Sequence, residues 1–180
     1  MSDRYFSGLK AKKKGASWEK FLEELHAIYQ AEGKAILFKT QPEFRVLRVT
    51  KSGFKGAFTG KGPPDYVGSC QELSFIAEAK TTEQARFSFS MIKEDQANRM
   101  NLWEDQAVNH TGAIFLWMRD KDIRYVIPWA AIRDRWQTWH DNEGRAASGT
   151  ASLSLEQLDK LAVRFDETGW LEPLRKRINR

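Results

Sequence analysis

Pro63-Pro64-Asp65-Tyr66-Val67-Gly68, a polar break over 69–72, then Leu73-Ser74-Phe75-Ile76-Ala77-Glu78-Ala79-Lys80: this stretch reads as two short strands and the turn between them. Alternation along the second strand sends Leu73, Phe75, Ala77 and Ala79 to one face and Ser74, Ile76, Glu78 and Lys80 to the other. If the first strand folds back through a turn centred on Gln71-Glu72, Asp65 falls opposite Glu78, because both are equally far from the turn. Two carboxylates and an ammonium then converge. Close carboxylates repel one another and together bind a hard divalent cation, which removes the conflict.

Working outward, the apolar positions Trp18, Phe21, Leu22, Leu25, Ile28 and Tyr29 follow helical spacing from an N-cap at Ser17 to a stop at Gly33. Short strands are expected over 35–39 and 44–49, followed by a glycine- and lysine-rich loop over 51–62. Downstream, a helix is expected over about 90–106, with Ile92, Gln96, Met100 and Trp103 on one stripe. A central strand over 112–118 and a hairpin neighbour over 123–127 follow, joined through the polar 119–122. A helix over 129–139 comes next, and a last one opens on the capping box Ser154-Leu155-Glu156-Gln157. The fold class is α/β, a central mixed β-sheet flanked by helices. Residues 1–15 are expected to be a basic flexible arm, 16–180 one domain, and 171–180 a basic tail.

A chain of 180 residues with 41% hydrophobic content buries one core and is too short for two domains. Its net charge of +5 is unevenly distributed: +7 over residues 1–62, −5 over 63–170 and +3 over 171–180. Basic flanks around an acidic centre suit a protein that grips a polyanion and keeps its carboxylates for chemistry. Cys70 is the only cysteine, no 18-residue apolar run exists, and the lysines at 12–14 lack the apolar stretch of a signal peptide. A cytoplasmic protein is expected, in the host cytoplasm if the source is a phage. The histidines His26, His110 and His140 have no ligand spacing and read as surface residues. Trp18, Trp103, Trp117, Trp129 and Trp136 read as core or interface. No phosphate loop, Ser-His-Asp set or dinucleotide fingerprint is present.

Pro64-Asp65 followed by Glu78-Ala79-Lys80 resembles the PD-(D/E)XK nuclease superfamily, whose core is restriction-endonuclease-like. With Gly15-Ala16-Ser17-Trp18-Glu19, Asp65-Tyr66-Val67-Gly68, Ile76-Ala77-Glu78-Ala79-Lys80-Thr81, and Asp95-Gln96 followed by Met100, the chain is similar over about 12–138 to the RecU-type Holliday junction resolvases. The resemblance implies a homodimeric endonuclease that nicks paired strands of four-way DNA junctions symmetrically, leaving 5′-phosphate and 3′-hydroxyl ends. It implies Mg2+, with Mn2+ as a substitute, held at Asp65, Glu78 and Ala79. Lys80 would be the catalytic lysine, Glu19 an acidic residue that helps position water, and Gln96 a supporting polar group.

The stretch matching the family's protruding stalk is compressed here to about 45–61, and the part after 152 carries no resemblance. The small size and short stalk are compatible with a phage-encoded enzyme. Lys12, Lys13, Lys14, Arg45, Lys51, Lys55, Lys61 and Arg86 are the expected phosphate contacts. Two other readings remain open: a restriction-like or repair endonuclease acting on duplex DNA, and a non-catalytic DNA-binding protein.

Overall fold

The computed structural model describes residues 3–41, 44–51, 53–58, 62–71, 73–142 and 151–178; within these, side chains are described except at 3–16, 44–46, 50, 54–55, 58 and 177–178. Among the described residues the order is α1 (Asp3–Ala31), β1 (Ile36–Lys39), β2 (Phe44–Thr50), β3 (Gly53–Phe58), β4 (Tyr66–Cys70), β5 (Leu73–Thr82), β6 (Arg86–Ser88), α2 (Glu94–Glu104), β7 (His110–Met118), β8 (Ile123–Pro128), α3 (Arg133–Asp141), β9 (Ser152–Ser154), α4 (Leu155–Leu161), β10 (Val163–Phe165) and α5 (Leu171–Ile178). A mixed sheet runs β1-β4-β5-β7-β8-β10. Its β5–β7 pair is parallel and bridged by α2, and the other pairs are antiparallel. The α/β class with helices on a central mixed sheet is therefore what the chain adopts.

Strand alternation builds two cores. Phe75 and Ala77 of β5 and Ala113 and Phe115 of β7 face α1 and α5, packing against Trp18, Leu22, Tyr29, Trp170 and Leu174. On the other face Ile76, Ile114 and Leu116 pack against Met100, Trp129, Trp136 and Leu158 from the remaining helices and turns. The sheet is the middle of three layers, which is why β5 and β7 carry apolar residues at successive positions. Two side chains tie α1 to distant segments. Trp18 Nε1 donates to Phe115 O at 3.2 Å, and Tyr29 Oη accepts the N–H groups of Trp170 and Leu171 at 2.8 and 3.2 Å, where α5 starts.

Several expectations need correction. Helix α1 begins at Asp3, so Ser17 lies inside it and caps nothing. The segment read as a loop over 51–62 contains β3, paired antiparallel with β2 as a two-stranded ribbon. Cross-strand pairing overrides the glycine content of Gly53-Phe54-Lys55-Gly56. The helix expected over 90–106 begins at Glu94, after a short 3-10 turn at Phe89–Met91. A similar turn at Trp129–Ala131 precedes α3. Residues 171–178 form a helix whose Leu171 and Leu174 are buried, where a basic tail was expected. The capping box at Ser154 holds: its Oγ accepts from Gln157 N, and Gln157 Oε1 accepts from Ser154 N.

His26 is the clearest misreading, since it is buried among Tyr66, Phe115 and Trp170, with ring centroids 5.1 to 5.9 Å away. Burial lowers its pKa to about 3. The unfolded chain protonates this imidazole below pH ~6.5 while the folded one stays neutral down to about 3, so stability falls as pH drops through that window. Urea unfolding at pH 7 and pH 5 is expected to show a smaller loss for His26→Phe than for the wild type, by about 2 kcal/mol. Equal losses would mean that the imidazole titrates alike in both states.

Candidate active site

Asp65 immediately precedes β4, and the register Tyr66↔Ala77 through Cys70↔Leu73 extends one step to set it beside Glu78. The chain reverses at Gln71, which takes φ 47°. The expected turn and its consequence are both present. Asp65 Oδ2 accepts the main-chain N–H of Ala79 at 2.8 Å, which fixes its carboxylate against the β5 backbone. Its own carbonyl accepts Thr40 N at 2.9 Å, and Thr40 Oγ1 donates to Pro64 O. Thr40, the residue after β1, thus pins the chain where it enters the site.

Glu78 is the unusual group. Its side chain is 2% exposed, on the face of β5 that meets α2. Lys80 Nζ stands 3.4 Å from Glu78 Oε2 and donates to Gln96 Oε1 at 3.0 Å. Gln96 Nε2 donates to Glu78 Oε2, while Gln96 Oε1 also takes the N–H of Lys93, just before α2, at 3.1 Å. The amide works in both directions, as a donor to the acid and an acceptor from the base; a glutamate there would add a third negative charge. Arg99, one turn further along α2, lies with Nη2 3.9 Å from Glu78 Oε1 and 3.1 Å from Asp95 Oδ2.

Burial and then the Asp65 charge push the Glu78 pKa up to about 7, against the opposing pull of Lys80 and Arg99. Two cations within reach therefore do not compensate this carboxylate. That imbalance, with two carboxylates meeting at one strand pair, is what a divalent cation relieves. Among the described residues no cluster of three or more His, Cys, Asp or Glu forms, so a cation here would draw on two carboxylates together with main-chain or solvent oxygen.

The structure brings Asp65, Glu78, Ala79, Lys80 and Gln96 together. Glu19 is placed differently: it pairs with Lys39 at 2.8 Å, as Glu23 does at 2.6 Å. Lys39 lies opposite Tyr66 in the β1–β4 register, so this cluster borders the Asp65 side. Tyr66 is fully buried, and its hydroxyl pKa is raised by burial and then by Glu19, Glu23 and Asp65. Arg86 belongs to the separate β6–β9 ribbon, where its Nε donates to Ser152 Oγ at 2.8 Å. Lys51 is exposed at the turn between β2 and β3. The side chains of Lys12, Lys13, Lys14, Arg45 and Lys55, and all of Lys61, lie outside the described residues. Sequence reading passed over Arg99 although its place was visible, three residues after Gln96 and four after Asp95 on one helix face.

A family model described as "RecU: Recombination protein U" matches residues 13–168. The chain belongs to the RecU family. This RecU match includes Glu19, Asp65, Glu78, Lys80, Gln96 and Arg99, and it runs past residue 152, where the sequence alone offered no resemblance. RecU membership makes the chain a recombination protein, for which DNA is the expected partner. Comparison with curated proteins gave no match. No described helix of this RecU-family chain is long and apolar enough to cross a membrane.

Proposed function

We propose that the chain is a metal-dependent endonuclease that resolves four-way DNA junctions, cutting two strands symmetrically as a homodimer. The observation that carries this reading is the buried Glu78 carboxylate, held near neutrality in its titration beside Asp65 and hydrogen-bonded to Gln96 with Lys80 alongside. A surface ion pair has no use for such burial, and perturbed carboxylates of this kind concentrate at reactive sites.

Asp65, Glu78 and the main chain at Ala79 would hold Mg2+ or Mn2+. When bound, the ion supplies polarisation of the scissile phosphate and acidification of a water. The protein's own groups do the rest. Glu78 gives up its proton to become a ligand, so binding is expected to strengthen as pH rises towards 7 and above. Lys80 Nζ, as the ammonium, orients the attacking water and neutralises charge that develops on the phosphate. Gln96 fixes both Glu78 and Lys80. Glu19, paired with Lys39, bears on the Asp65 side of the site. The basic residues of 12–14, the β2–β3 ribbon and Arg86 would carry phosphates, and two copies suit a substrate with near two-fold symmetry. The expected location is the cytoplasm.

The test compares a labelled four-way junction with linear duplex of the same sequence, with and without magnesium. Paired nicks near the branch point, only with metal and only in the junction, are expected. Equal cutting of both substrates makes the protein a general duplex endonuclease. Salt-sensitive binding without cutting in any metal makes it a non-catalytic binder.

A further inference from the structure

Beside the carboxylates lies a groove of about 560 Å3, with Pro64, Val67, Ile76 and Trp103 among its walls. Leu102 of α2 stands at its rim, 64% exposed. An apolar hollow is out of place at the edge of a site made of charges, unless its occupant is itself part apolar and part ionic. Three links make groove and site continuous. Pro64 is the residue before Asp65. Ile76 lies on the Glu78 face of β5, two residues earlier and roughly 7 Å away along the strand. Arg99 lines the groove with its side chain 27% exposed, while its Nη2 lies 3.9 Å from Glu78 Oε1.

We infer that the groove is a nucleotide pocket: it receives a base turned out of the stack in the strand that reaches Asp65 and Glu78, with the Arg99 guanidinium at its wall donating to that nucleotide's phosphate. The inference rests on the proposed nuclease reading of the adjoining carboxylates. A nucleotide joins a flat apolar ring to an anion, which is the pairing of Trp103, Ile76 and Val67 with Arg99. An aliphatic side chain from another protein would use the walls and bring no anion to the guanidinium. The volume is within the range of sites that enclose a small ligand. Taking a base from an intact duplex breaks pairing and stacking, whereas at a branch point much of that cost is already met. Packing against the groove then returns part of it. The pocket would therefore favour branched over linear DNA without reading a sequence.

The experiment measures junction affinity of the full chain, with chelator present so that nothing is cut, on four-way junctions carrying one abasic site at successive positions around the branch. Loss of the pocketed base is expected to weaken wild-type binding about tenfold at one position on each cut strand. Leu102→Trp fills the groove from an exposed helix position and is expected to abolish that sensitivity, leaving affinity for abasic junctions unchanged. Arg99→Gln, in an independent variant, is expected to reduce it. Tighter binding at abasic positions, or none weaker, overturns the pocket, because a base that is only displaced helps binding when removed. A shift in sedimentation of Leu102→Trp, together with wild-type binding that is insensitive to every abasic site, also overturns it and seats a second copy in the groove. Cleavage is assayed separately. Metal-dependent junction cutting without abasic sensitivity removes the pocket and keeps the nuclease; sensitivity without cutting does the reverse.

Discussion

In the presence of chelator at pH 8, the Glu78→Gln variant is expected to melt several degrees above the wild type and, with magnesium restored, to leave four-way junctions uncut. Both effects have one cause. Glu78 is buried, and its pKa stands at about 7 because burial and Asp65 disfavour the charged form. The sign follows from the raised value. The unfolded chain loses this proton near pH ~4.5, the folded protein near 7, so stability is fully present below about 4.5 and is lost as pH rises through 7. Above that, the folded metal-free protein holds an uncompensated charge, and a shift of this size corresponds to about 3 kcal/mol at most. Glutamine keeps the shape, still accepts from Gln96 and Lys80 through its carbonyl, and carries no charge. At pH 4, where the carboxyl is mostly protonated in the folded and the unfolded chain alike, the two melting temperatures should nearly coincide. A variant less stable than wild type at pH 8 would show that the Lys80 and Arg99 attractions outweigh desolvation. Cutting retained by Glu78→Gln would remove Glu78 from the metal site. A site that stabilises the protein when neutralised, and stops it working, marks a carboxylate kept for function.

The sheet centre was legible because local pattern and tertiary role agree there. Strict alternation in β5 assigns Phe75 and Ala77 to one core and Ile76 to the other, and the turn at Gln71 fixes the register that sets Asp65 beside Glu78. Where the two levels part, the reading failed. Residues 3–16 have no apolar stripe, yet their alanines and lysines are good helix formers and continue α1 backwards. Gly53 to Phe58 looks like a loop until β2 supplies its partner. His26 could have been found, since it stands four residues after Leu22 and eight after Trp18, on the stripe that α1 buries; residue type was given more weight than position. Of the site, the residues carried by strand order were visible. Spacing places Arg99 on one helix face with Asp95 and Gln96, but that this face meets Glu78 depends on the angle at which α2 crosses β5, which no spacing in the sequence encodes.

Lys80→Ala is expected to lower the single-turnover rate of junction cutting by about 10^3-fold with junction affinity nearly unchanged, because the ammonium acts on the reacting phosphate and water while DNA binding draws on many other cations. Lys80→Arg should recover little: the guanidinium is planar and broader, and it cannot take the compact position 3.0 Å from Gln96 Oε1 and 3.4 Å from Glu78 Oε2. The sharper consequence concerns Gln96. Its amide does two things in one geometry, accepting from Lys80 and donating to Glu78, so its contribution to cutting passes through those two groups. Gln96→Ala alone should cost about tenfold, the double variant should be no slower than Lys80→Ala, and the cycle should show strong coupling. Additive losses would mean that Gln96 touches the substrate independently of Lys80. The main chain offers a control, because Gln96 Oε1 also receives Lys93 N at 3.1 Å as α2 begins. Gln96→Ala therefore frays that end of the helix as well as freeing the lysine, and Gln96→Glu separates the two effects. Glutamate can still accept from Lys93 and Lys80 but cannot donate to Glu78, and it adds a charge beside an acid already reluctant to ionise. It should keep the melting behaviour of α2 at low pH and yet cut more slowly than Gln96→Ala, with the difference widening as Glu78 ionises.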